Sequence, residues 1–172
     1  NQVNENSSSA HVRSNGAVIG TIVHRLMEVL VSSGNKADLQ TAAMEIAGDY
    51  NADTAEYLNI LLNVGGTIRN GGYVQTNNVP QDILRVLLSA DEVYCEMPFC
   101  RKINVNGKFI IWHGIMDVVY RIGDKWFIID YKTNAEAADL DFKYREQLDA
   151  YKEAFYDLTG NHAEAMIYHI DI

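Results

Sequence analysis

At 172 residues, with 48% apolar and 22% charged side chains, the chain has the size and balance of one domain with a full hydrophobic core. Its 14 basic and 23 acidic residues give a net charge of −9. That argues against a free-standing, tight nucleic-acid binder, which carries a basic footprint of its own. Bound divalent cations or a larger electropositive partner would offset the charge. Cys95 and Cys100 are the only cysteines, too few for a four-cysteine zinc or iron–sulfur site, and they read as reduced, packed thiols of a cytosolic protein. No apolar run reads as a membrane span or a secretory leader, so no membrane partner is expected. The missing initiator Met reads as excision from something longer.

Residues 1–15 are rich in Asn and Ser and poor in apolar side chains, which predicts a linker or disordered tail. From about Gly20, Ile22, Val23, Leu26, Met27, Leu30 and Val31 recur at helical spacing until Ser32-Ser33-Gly34. A second helix is expected over 36–50. A third starts near Asp53, a fair N-cap, and Gly71-Gly72 closes that region. Pro80 is expected to open a short helix carrying Ile83, Leu84, Leu87 and Leu88. The pattern then changes. Val93–Ile103 and Lys108–Arg121 read as strands around the polar turn at 104–107, and Lys125–Lys132 follows. Residues 141–159 read as one helix, with Tyr144, Leu148, Tyr151, Ala154 and Phe155 on one side, and Ala165–Ile170 as a last strand. Three antiparallel strands, a helix and a strand predict an α/β fold: a mixed sheet flanked by helices, with a helical N-terminal portion over about 18–90 and the sheet core over about 92–172.

The chemistry concentrates on Asp117, Asp130 and Lys132. With Gly123-Asp124 as a two-residue loop, Ile122 faces Lys125 and Asp117 faces Asp130. Directly opposed residues have Cβ atoms about 4.5–5.5 Å apart, and two carboxylates that close repel unless a proton or cation lies between them. Lys132, two residues beyond Asp130, shares its face. Solvated hairpin charges are the ordinary alternative. However, Phe127-Ile128-Ile129 before Asp130 and the apolar run around Asp117 are contexts that rarely hold unpaired charge. The set reads as a divalent-metal site with an ammonium beside it.

Other candidates are less determined. His24 and Glu28 are one helical turn apart and share a face. His24 is equally a packed residue or an imidazole ligand, and Glu28 a ligand, an orienting group or a solvated charge. Glu96 lies in the apolar run Tyr94-Cys-Glu-Met-Pro-Phe99, either as a site acid or as a charge guarding an edge strand, which Pro98 suggests. Gln147 and Tyr151 share a helix face, where the amide could contact phosphate or hold the lysine.

These residues resemble the PD-(D/E)XK nuclease superfamily, whose core is an Asp followed by (D/E)-x-K on the next strand: here Asp117 and Asp130-Tyr131-Lys132. The pattern is most similar to the RecB-type domain of bacterial helicase–nucleases of the exonuclease V kind, in particular the AddA-like C-terminal domain. Gly20-Thr-Ile-Val-His24-Arg-Leu-Met-Glu28, Glu96-Met-Pro98-Phe99, Gly114-Ile-Met-Asp117 and Gln147-Leu-Asp-Ala-Tyr151 follow in that family's order. Met116 stands where the motif's name has Pro. The resemblance implies a restriction-endonuclease-like core over 16–172 and a Mg²⁺- or Mn²⁺-dependent deoxyribonuclease. Its metal ligands would be His24, Asp117, Asp130 and the Tyr131 backbone carbonyl; Lys132, Gln147 and Tyr151 would complete the catalytic group, with Glu28 and Glu96 as auxiliary acids. It implies single-stranded DNA as substrate, a helicase motor on the same polypeptide, room for an AddB-like second subunit, no iron–sulfur cluster, a bacterial cytoplasmic location, and a part in double-strand-break repair and recombination. Two rival readings are a non-catalytic docking module of the same fold and a stand-alone nuclease acting on RNA or structured DNA.

Overall fold

The structure is a computed structural model that describes residues 6–34, 36–50, 54–133 and 140–172. The chain divides into two compact units, Asn1–Gly66 with Ile172, and Thr67–Asp171.

The first unit is helical: α1 (Asn6–Ser33), α2 (Leu39–Gly48) and most of α3 (Thr54–Arg69). On α1, Ile22, Val23, Leu26, Met27, Leu30 and Val31 are buried, the stripe that the spacing predicts. The helix begins at Asn6, which corrects the expected tail over 6–15; residues 1–5 lie outside the described residues. Nothing in 6–15 breaks a helix. Asn and Ser are weak formers, yet adding a turn to a helix already nucleated costs far less than starting one. Gly16–Ser33 is also long and apolar enough to cross a membrane by length and composition, contrary to the sequence reading. Its one-sided burial, with Arg25 and Glu28 on the same helix, is equally the mark of a core-facing helix. On α2, Asp38 caps the start by accepting from the Thr41 N–H at 3.0 Å. Asp53, the expected cap of α3, lies outside the described residues.

The second unit holds α4 (Ile83–Ser89), β1 (Glu92–Val105), β2 (Lys108–Ile122), β3 (Lys125–Lys132), α5 (Leu140–Lys143), α6 (Arg145–Thr159) and β4 (Ala163–His169). Asp82, not Pro80, opens α4: its carboxylate accepts from the Arg85 N–H at 3.2 Å, the interaction that favours Asp at a cap. The sheet order is β1-β2-β3-β4, antiparallel across the first three strands and parallel between β3 and β4. The expected mixed sheet is therefore present, and β1 is an edge, as Pro98 suggests. At the tip of the first hairpin Val105 pairs with Lys108, so Asn106-Gly107 is a two-residue loop. Both loop residues have positive φ, as a primed turn requires.

The α5–α6 segment carries the crossover from β3 to β4. The expected single helix over 141–159 breaks at Tyr144, whose ring lies beneath the Lys132 ammonium at 4.7 Å. Leu148, Tyr151, Ala154 and Phe155 form the buried face of α6. Tyr151, Ala154 and Phe155 pack on Phe99, Met116, Val119 and Ile128 of the sheet, while Leu148 joins Leu140 and Ile167 in a neighbouring cluster. At the other edge, β4 is paired off by side chains. Gln75 donates to the His169 carbonyl and accepts from the His169 N–H, both at 3.0 Å, and Asn77 donates to the Ile167 carbonyl at 2.7 Å. These amides occupy backbone groups that would otherwise template another strand. Cys95 is half-buried and Cys100 exposed, so neither is the fully packed thiol expected, and neither is in a disulfide.

Candidate functional site

The β1–β2 ladder runs from Glu92↔Arg121 to Val105↔Lys108 and skips one level, Glu96 opposite Asp117. On the other side of β2 the ladder to β3 ends at Val118↔Ile129, one level short of Asp117 and Asp130. Asp117 therefore sits at a break in both ladders. The register expected from the Gly123-Asp124 loop is correct up to that point. The directly paired Asp117 and Asp130 it predicts are not formed as a ladder pair. Two competing interactions account for the break. The Asp117 carboxylate accepts from the Tyr131 N–H at 2.7 Å, a side chain standing in for a strand partner. Glu96, across β1, has φ +52°, a conformation that L side chains rarely adopt.

The pleat turns over at the same level. Met116 and Val119 both pack into the cluster with Tyr151, Ala154 and Phe155, although strict alternation would put residues three apart on opposite faces. On β1, Tyr94 stacks on Trp126 at 6.3 Å; Trp126 packs on the same cluster as Met97, again three residues on. Gly114 belongs to this packing: a Cβ there would meet the Phe99 ring at 2.7 Å.

β3 keeps its phase, so Asp130 and Lys132 share a face as expected, and they form an ion pair. Asp130 is 2% exposed and Asp117 8%. The Asp130 Oδ1 accepts from Gln147 Nε2 at 3.1 Å and from the Tyr151 hydroxyl at 3.2 Å, and Gln147 also donates to that hydroxyl at 2.7 Å. Gln147 and Tyr151, one turn apart on α6, thus hold the carboxylate rather than the lysine. The Phe99 ring meets Tyr151 edge-on at 5.7 Å and fixes its orientation. Carboxylate oxygens of Glu96 and Asp117 lie within 4.8 Å of each other. Glu96 is half-buried, which does not suit a charge kept on an edge strand only to meet solvent.

Burial pushes the Asp130 carboxyl up from its ordinary range, and the neighbouring Asp117 adds to this; Lys132 and the Tyr151 hydroxyl oppose it. Burial and then Asp130 raise the Tyr151 hydroxyl, so it stays protonated and donates. Tyr131, fully buried, is raised well above its usual value by burial first, with Cys95 and Asp117 adding to it. The donors Asp117, Asp130 and Glu96 are hard oxygens, the set that Mg²⁺ and Mn²⁺ prefer. A divalent cation would relieve both the buried charge and the repulsion between the acids, so these residues fit one. His24 and Glu28 belong to the first unit: His24 is half-buried on α1, and Glu28 forms an ion pair with Arg25. Sequence reasoning missed the role of Tyr144, named only as a helix-face residue. The two helical segments meeting at it have no signal in the periodicity.

The sequence pattern of the PD-(D/E)XK nuclease superfamily matches residues 3–171, and the chain belongs to that family. The mixed four-stranded sheet with its helices agrees with the restriction-endonuclease-like core. The chain is 30% identical over 146 residues to an ATP-dependent helicase/nuclease component of Streptococcus sanguinis, covering 81% of this chain and 11% of that protein. It is 29% identical over 160 residues to the protein of the same name from Exiguobacterium sibiricum, covering 81% and 13%. The chain thus spans little more than a tenth of these two relatives. The crystal structure of SSO0001 overlaps 89% of this chain and 61% of its own with a TM-score of 0.43 at 19% identity, too loosely to bear on function.

Proposed function

We propose that this chain is a Mg²⁺- or Mn²⁺-dependent exonuclease module that hydrolyses phosphodiesters of single-stranded DNA. It would be carried by an ATP-dependent helicase on the same polypeptide, in double-strand-break repair and recombination in the bacterial cytoplasm. One observation carries the reading: the buried Asp130, held by Lys132, Gln147 and Tyr151, lies next to an Asp117 that has left both ladders. A hairpin whose charges were merely solvated would have no reason to break its pairing there. The names of the relatives support a nuclease that works with a helicase; an AddB-like second subunit fits the same arrangement.

Each residue has a distinct task in this reading. Asp117, pinned by the Tyr131 N–H, and Asp130, pinned from α6, present carboxylates that need no reorganisation when a cation binds. The resemblance to the family adds His24 and the Tyr131 carbonyl to the ligand set, with Glu28 and Glu96 as auxiliary acids. When bound, the cation supplies an acidified water and offsets charge building on the phosphate. Lys132, steadied by Asp130 and the Tyr144 ring, is the ammonium that meets the developing oxyanion. Incubating labelled single-stranded DNA with the protein in Mg²⁺ or Mn²⁺ should give cleavage, abolished by EDTA and lost in Asp117→Ala and Lys132→Ala. Equal cleavage by all three proteins would expose a contaminant and end the proposal. Mn²⁺ titration of His24→Ala tests the ligand set: unchanged affinity removes His24 from it.

A further inference from the structure

A cleft of about 450 Å³ opens between α6 and the outer half of the β1–β2 hairpin. Its apolar lining is Ile103, Trp112 and Ala150, and its polar edge is Glu146 and Gln147. Arg101 and Glu153 close one side, but Arg101 is already committed: its Nε binds Asp157 at 2.6 Å and its Nη1 binds Glu153 at 2.7 Å. Trp112 is half-buried and held edge-on against Phe99 at 4.9 Å. The cleft neighbours the acid site through shared and touching side chains. Phe99 meets Tyr151, Tyr151 donates to Asp130, and Gln147 both lines the cleft and donates to Asp130.

The occupant can be argued from charge and shape. Phosphate is disfavoured, because the edge is acidic and the one guanidinium is neutralised in place. A flat, uncharged group with N–H donors at its edge suits a lining that holds an indole, a carboxylate and an amide. We propose that this cleft seats an unpaired nucleobase stacked on Trp112, while the strand's phosphodiester lies at Asp117, Asp130 and Lys132. The inference rests on the nuclease reading above and deepens it. It makes the module a reader of single strands, since a paired base cannot enter, and it favours bases with an exocyclic amino group over thymine.

The test uses the 172-residue chain with fluorescein-labelled oligodeoxyadenylate and oligothymidylate in Ca²⁺, followed by anisotropy and by tryptophan emission. The wild type should bind adenylate more tightly than thymidylate and lose emission on binding. Base–aromatic stacking energies predict that Trp112→Ala weakens binding by about tenfold. Trp112→Phe should bind within a few fold of the wild type without that emission change. Trp112→Leu fills the space without a π face and should behave like Trp112→Ala; it decides the matter if the alanine variant does not fold. A wild type that cuts DNA while Trp112→Leu or Trp112→Ala binds it equally well overturns the base site, leaves the nuclease reading standing and points to a protein segment in the cleft. A wild type that neither binds nor cuts overturns both.

Discussion

The β1–β2 hairpin behaves as two different objects along its length. From Pro98↔Ile115 outward to Asn106-Gly107 every level is paired, although Phe109, Ile110 and Ile111 are 65, 45 and 64% exposed and gain little from burial. Further in, where β2 is buried, the ladder is interrupted for one level at Glu96 and Asp117 before it resumes at Cys95↔Val118. Order is thus most regular where side chains matter least. A backbone amide pairs with a strand unless a stronger acceptor is offered, and a buried carboxylate is that acceptor. The difference teaches that the interruption is caused by the acids and not by loose packing.

Substitutions can break this contrast from either end. The largest effect is expected at the inner level: Asp117→Ala and Lys132→Ala should each lower single-strand cleavage at least a hundredfold, the scale of losing one preorganised electrostatic group. Circular dichroism should show both variants folded. Gly114→Ala should cost about 1–3 kcal/mol in urea unfolding, because the added methyl overlaps the Phe99 ring inside a closed core. Glu96→Gly should raise stability by about 1 kcal/mol by releasing the positive φ, while weakening Mn²⁺ binding in calorimetry. Asn106→Gly is its control: the same φ of 52° outside the site should give a smaller gain, since Asn tolerates that conformation, and should leave Mn²⁺ affinity untouched.

The smallest effect is silent at neutral pH. Burial pushes the Tyr120 and Tyr168 hydroxyls up to about 12 from 10.0. Both are held protonated by the fold, so their contribution is whole below pH 10 and is lost as pH rises toward about 12. Thermal midpoints measured across that window should fall. Tyr168→Phe should flatten part of the fall, at the expense of its bonds to the Tyr73 N–H and the Gln81 carbonyl.

Much of this was legible in the residues, and the exceptions have causes. Period-two and helical spacing located the four described strands and the buried stripes of α1 and α6, because burial on one face is what those periods encode. The two-residue loop at Gly123-Asp124 fixed the β2–β3 register for five levels. The same arithmetic failed at the sixth, since counting assumes that amides pair with carbonyls, and Asp117 changes the partner. The grip of Gln147 and Tyr151 on Asp130 was visible only as a shared helix face; which group they held required the crossover to be in place. Tyr144 gave no sign of ending a helix, because an aromatic ring drawn beneath a lysine is a tertiary event.

That grip has a consequence for how the molecule comes into being. The acids and the lysine are complete in the nascent chain by Lys132, but the groups that hold Asp130 come later, from α6. A ribosome that has made only the three-stranded meander has made the acids without the groups that hold them. On the reading proposed above, the carboxylate pair is therefore positioned last, once the chain has looped back through α6.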